Sequence, residues 1–459
     1  MVKRLKFKSG GDMGVEALEL EKDVEQEIHE KLDIKSMFLL GVQHVAAMCA
    51  GAIAVPMILG ESLGLGVEQI NTLVSATLMM AGVGTFIQTL NVHGKIGAKL
   101  PMVEGVSFAG VSALVAVGLS YRGTDSVLGL QIMFGATIVS GIFAFLVAPL
   151  FGKLLKYFPP LVSGVVVTSM GLSLIPVALR WIAGSPQTSN YLSLKNIFLA
   201  LITIGIILTV QKISKGFLGN IAILIGIFLG TLVAIPMGLT DFSIINEASH
   251  FTINTPLQFG LPKFELTAVL SLFLVQLVIM TDATGNQINL SDICSVKPDE
   301  EKIVAGLRGH GLTSAIAGVF NSFPHSLFGQ NVGIAAITGV KSRFVGTAAG
   351  VILLTVSFFP KIVAILTAIP SPVLGGAGII MFGIVAANGV KRLGTVNYEK
   401  NKNLVIVATS LGMALAPIST PQLFTNFPQW GKILFQSPVT LGALTVLILN
   451  IVFNEFGKK

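Results

Sequence analysis

Charged residues are scarce in this 459-residue chain, at 12% against 53% hydrophobic residues. Soluble domains carry about 25% charged residues, so the shortage excludes a solvated globular surface and points to a polytopic membrane protein. Cysteine is scarcer still. Cys49 lies in an apolar run and Cys294 in a loop; two such residues build neither a disulfide framework nor a metal cluster, and no cofactor is expected. The first 35 residues hold no apolar run, so no cleavable signal peptide is read there. The net charge of +7 is no sign of a nucleic-acid partner, because most Lys and Arg fall in loops, where the positive-inside bias accounts for them.

Glycine, by contrast, is plentiful at 50 residues, and small residues let helices approach closely in a bilayer. Residues 1–35 read as a solvated cytoplasmic tail, basic at Lys3, Arg4, Lys6 and Lys8, then acidic from Glu16 to Asp33. From Ser36 apolar runs follow one another. A span needs about 20 apolar residues, and fourteen candidates lie near 36–59, 69–92, 101–119, 128–149, 161–183, 195–211, 217–239, 265–290, 302–323, 332–340, 344–368, 373–390, 402–418 and 436–456. The third and tenth are too short or too polar for ordinary spans. Counting Lys and Arg loop by loop puts both termini in the cytoplasm, with Lys95, Lys99, Lys212, Lys341, Arg343, Lys391 and Arg392 among the inward charges.

A repeat is legible. Pro160, Gly164 and Gly171 share the spacing of Pro372, Gly376 and Gly383, at an offset of seven spans. An odd unit turns the second copy upside down, the inverted repeat of many secondary transporters. The third and tenth segments then become equivalent, and paired interrupted segments point to a binding site at mid-membrane.

Few polar groups fall inside apolar runs. Asp282, in LVIMTDATGNQINL, should be paired, protonated or facing water; it is either a substrate acceptor that also carries a proton or a neutral tie between helices. Glu104 either carries a proton or contacts a loop lysine or a helix start. His44 reads as a packing or supporting residue. His310, between two glycines, either moves protons or bonds backbone. Gln330 and Asn331 are the strongest pair, since a side-chain amide matches the C=O/N–H edge of a heterocycle. Gly333 allows close backbone approach, and a helix following it would aim free N–H groups at a ligand.

Gln330-Asn331-Val332-Gly333, ending at Thr338-Gly339, resembles the signature [QEP]-N-x-G-x4-T-[RKG] of the nucleobase–ascorbate transporter family, also called nucleobase:cation symporter-2. The likeness extends to Gln43-His44, to Gly105-Val106-Ser107-Phe108, to Phe323-Pro324 and to Pro370–Gly376. It implies an all-α polytopic fold of fourteen segments in two inverted sevens, with short strands in segments 3 and 10. It also implies a core (36–150 and 265–370) sliding against a gate (151–240 and 371–459) that forms a homodimer.

Glutamine at the first signature position resembles the purine branch, so the implied substrate is xanthine or urate, taken up with a proton across the inner membrane. The implied substrate-binding set is Gln330, Asp282, Asn331, Phe108, Ser107, Val332 and Gly333, the last two with Ser107 and Phe108 through backbone N–H groups. Glu104, Asp282, His310 and His44 make up the proton-handling and supporting set. Three positions depart from the family pattern. Asp282 stands where Glu is usual, drawing the carboxylate back by about 1.5 Å; Asn286 and His310 stand where acids are common. The alternatives are a uracil carrier, a passive channel and an intramembrane enzyme, though the last lacks a nucleophile–base pair or a metal set.

Overall fold

The computed structural model describes residues 27–123, 125–151, 159–184, 190–240, 243–296, 299–399 and 402–455. The first 26 residues, most of the expected tail, lie outside it. Every candidate span has a helix: α1 (Ile34–Leu63), α2 (Val67–Leu90), α3 (Val111–Tyr121), α4 (Ser126–Val147), α5 (Pro160–Ala183), α6 (Leu194–Ile213), α7 (Ala222–Ala234), α8 (Leu266–Ile293), α9 (Glu300–Val319), α10 (Gly329–Thr338), α11 (Arg343–Ser357), α12 (Ser371–Leu393), α13 (Asn403–Ser419) and α14 (Pro438–Asn450). Their starts follow local chemistry. Asp33, Asp125, Ser193, Glu265, Asp299 and Ser437 cap α1, α4, α6, α8, α9 and α14 through side-chain oxygens, which satisfies N–H groups that the first turn leaves free.

Among the described residues, seven helices are each long and apolar enough to cross a membrane: α1, α2, α4 with its short extension, α5, α6, α8 and α12. The third and tenth segments are short, as expected. Each is a strand followed by a helix: β1 (Glu104–Val106) before α3, and β2 (His325–Leu327) before α10. The eleventh differs from expectation. It bends by 91° between Ser357 and Pro360, because Pro360 cannot continue the ladder and holds Phe359 outside the helical region.

The packing repeats under a shift of seven helices. A Cβ on Gly82 of α2 would sit 2.8 Å from the Gly350 carbonyl oxygen of α11, and Thr89 meets Gly346 further along, so these two helices run antiparallel in near backbone contact. Shifted by seven, that pair becomes α9 and α4. There Gly318 faces the Phe134 carbonyl at 2.6 Å and Gly311 faces Gly141, again antiparallel. Two pairings map onto themselves: α5 with α12, where Gly171 meets Ala386 and Gly389 meets Thr168, and β1 with β2, antiparallel in register Glu104↔Leu327, Gly105↔Ser326 and Val106↔His325. The glycines that revealed the repeat do not play matching roles. Gly164 faces Leu393 of α12, whereas Gly376 faces Ala200 of α6.

The end of the expected solvated tail is docked. Ile28 is buried in an apolar cluster with Leu100, Leu290, Val332 and Ala335. Glu27 accepts from Lys341 at 2.7 Å, and the Ser342 hydroxyl donates to the Glu30 carbonyl at 2.6 Å. An apolar residue at position 28 inside an acidic stretch is the physical reason.

Candidate functional site

The two strands cross at the middle of the bundle, and each leads into a helix start. The Phe328 N–H donates to the Val103 carbonyl at 3.0 Å and the Ser107 N–H to the Pro324 carbonyl at 2.7 Å. Close approach at the crossing depends on missing side chains. A Cβ on Gly105 would lie 2.5 Å from the Phe328 ring, and one on Gly51 of α1 would lie 2.9 Å from it. Phe108, half-buried, sits 6.3 Å from Phe328 and 5.9 Å edge-on from Phe382 of α12.

Gln330 and Asn331 diverge. The Gln330 side chain is exposed and has no hydrogen-bond partner among the described residues. Asn331 is buried, and its Nδ2 lies 3.2 Å from both the Nδ1 and the backbone carbonyl oxygen of His44, so it ties α10 to α1. Val332 points into the apolar cluster around Ile28, away from Gln330. The amides expected to be free at Val332 and Gly333 lie inside α10. Because α10 starts at Gly329, those two N–H groups fall within the helix, and the unsatisfied ones belong to Gly329 and Gln330. The Ser107 N–H donates to the Pro324 carbonyl, and its hydroxyl oxygen accepts from the Ala109 N–H at 3.3 Å.

Asp282 on α8 is partly exposed and doubly held. Its Oδ2 accepts from Asn286 at 3.1 Å, and its Oδ1 pairs with the Arg392 guanidinium in the last turn of α12. Asn286 faces Gly329, whose added Cβ would lie 3.7 Å from the amide. Asp282 and Asn286 thus lie against the start of α10, where the neighbouring Gln330 is exposed.

Glu104 and His310 are brought together elsewhere, without solvent. The Glu104 Oε1 pairs with His310 Nδ1 and accepts from Gln88 Nε2 at 2.7 Å. Gln88 also donates to the Gly306 carbonyl at 2.9 Å. Of the two readings open for Glu104, contact with a loop lysine or a helix start does not describe this geometry, and proton carriage stays open. Beside the pair, on β2, His325 is buried with its Nδ1 on the Phe323 carbonyl at 2.7 Å. Glu104 Oε2 and the Nε2 atoms of both histidines have no partner among the described residues.

Sequence reasoning missed three of these residues. Gln88 carries no motif and sits in an ordinary apolar run. His325 reads only as a residue preceding the tenth segment until β2 pairs with β1. Arg392 reads as one more inward loop charge, and only the α8–α12 contact reveals its partner.

Two interleaved halves with polar groups converging on two helix starts at mid-bundle define an inverted-repeat membrane transporter. The fold is similar to the transmembrane domain of a cyanobacterium bicarbonate transporter, BicA, with a TM-score of 0.57, 19% identity, and coverage of 92% of this chain and 99% of that one. The model of the Permease family, Xan_ur_permease, matches residues 35–423. The chain is 39% identical to the xanthine permease of Bacillus subtilis (strain 168) over 91% of its own length and 94% of the relative's. It is likewise 39% identical to the uric acid transporter UacT of Escherichia coli (strain K12), over 94% and 88% respectively. The chain belongs to this permease family. It is a multi-pass membrane transport protein rather than an enzyme.

Proposed function

We propose that this chain imports an oxidised purine base, xanthine or urate, together with a proton across the inner membrane, with both termini in the cytoplasm. A core of α1–α4 and α8–α11 would slide against a gate of α5–α7 and α12–α14, and two copies would join through the gate. The observation that carries the reading is the free, exposed Gln330 amide beside the Asp282–Asn286 pair. Its C=O and NH2 complement the N–H and C=O on the edge of an oxidised purine. Asp282 accepts a ring N–H, the Gly329 and Gln330 amides face the base's carbonyl oxygens, and Phe108 stacks on the ring.

The relatives named for xanthine and uric acid support this substrate class. We assign proton coupling to Glu104 and His310, whose buried contact supports it. A buried carboxylate against an imidazole is neutral with one shared proton and charged with a second, and in low dielectric that difference is large. Saturable uptake of labelled xanthine or urate, abolished by a protonophore and by Gln330→Ala, tests the reading. Uptake unchanged in Gln330→Ala and Asp282→Ala cells removes the site assignment, and uptake indifferent to a protonophore removes the proton.

A further inference from the structure

We infer that Arg392 is the residue that releases the base: it takes over the Asp282 carboxylate once the site faces the cytoplasm. The inference rests on the purine reading above and adds a positioning residue to it.

The pair joins α8 to α12, two elements that the proposed slide moves past each other. It therefore belongs to one end of the stroke. Both side chains are about one-third exposed, Arg392 at 31% and Asp282 at 39%, so a ligand can reach them. The two carboxylate oxygens are already engaged, Oδ1 by Arg392 and Oδ2 by Asn286. A purine ring N–H needs one of those oxygens. A guanidinium is charged throughout the working range and makes the stronger, charge-assisted hydrogen bond, so it displaces a neutral N–H.

Towards the opposite end of the bundle α5 is tied to α1. The Trp181 indole N–H of α5 donates to both Glu61 oxygens of α1, at 2.8 and 3.0 Å, and its ring lies 6.4 Å from Phe382, which packs on Phe108. A base entering from that end meets Asp282 while α8 is displaced from the last turn of α12. The stroke then carries Asp282 to Arg392, and the guanidinium replaces the base. Affinity on the cytoplasmic side is thereby lowered without any change in Gln330.

The test is purified wild type, R392Q and R392K, with K391Q as a control that removes an exposed charge, without a partner among the described residues, from the same helix end. Thermal stabilisation is titrated with xanthine and with urate, and uptake kinetics are measured in cells. Expected for R392Q is base binding about two- to fivefold tighter, the range of a partly exposed ion pair, with both KM and maximal uptake lowered as release slows. R392K should fall between it and wild type, and K391Q should match wild type. A purely structural role would instead lower the melting midpoint and maximal uptake while leaving KM unchanged or raised, and that result overturns the inference. Wild type stabilised by a base, with R392Q binding it equally or more weakly, also overturns it and leaves the purine reading standing. Wild type stabilised by neither base overturns both.

Discussion

His310 Nδ1 faces Glu104 Oε1 in a space closed to solvent, with Gln88 donating to the same oxygen. Removing one partner strands the other, and breaking a buried pair costs about 3–5 kcal/mol. Glu104→Ala should therefore lower the melting midpoint strongly in detergent. Glu104→Gln with His310→Gln should recover most of the loss, because two amides can satisfy each other. A double-mutant cycle with coupling below about 0.5 kcal/mol would show that the two side chains act independently.

Gln330 offers the opposite case. Its side chain is exposed, so Gln330→Ala should shift stability by no more than about 0.5 kcal/mol. Base binding should nevertheless weaken roughly 10- to 100-fold, since a ligand polar edge loses its partner. Calorimetry of folded variant and wild type separates these two effects.

Gly105 tests the crossing. Its added Cβ would stand 2.5 Å from the Phe328 ring, so Gly105→Ala should cost about 1–3 kcal/mol as an overpacked core. Adding Phe328→Leu should return part of that. A Gly105→Ala protein as stable as wild type would mean that the strands have room to part.

Asp33 makes a pH prediction. Hydrogen bonds from the Ser36 hydroxyl and then its backbone N–H hold the Asp33 carboxyl below the usual carboxylate range. A lowered folded value stabilises above the unfolded value of about 3.9, and the gain is lost as pH falls through the folded value. Asp33→Ala should thus melt below wild type by a constant margin from pH 8 down to about 5, and the two should converge under stronger acid. Asp33→Asn, which keeps the cap oxygen, should lose less at neutral pH. Thermal scans across this range decide it.

How far the sequence led can be seen residue by residue. The fourteen segments, the inverted order and the short third and tenth segments followed from run lengths and from where glycine and proline fall. Gln330 followed from the cost of an amide in an apolar run. The pairings did not follow. Glu104 and His310 each stand out as titratable groups in the wrong solvent, but only the packing of the antiparallel β1–β2 pair against α9 brings them together. Arg392 looked like a loop charge because periodicity carries no information about which helix end lies beside Asp282. Hydropathy starts α10 three residues late, since Gly329 to Asn331 lack the apolar side chains that mark a helix. Tertiary contact made them helical.

The crossing of β1 and β2 also sets an order of events during synthesis. Gln88 and His310 are 222 residues apart, so at 5–20 residues per second the second half arrives roughly 10–40 s after the first. Through that interval Glu104 has no imidazole, and the edge of β1 has no strand, in a medium that tolerates neither. Neither half of the chain can finish its own interior. The vulnerable period in the life of this protein is fixed by the pace of translation, before any substrate has been met.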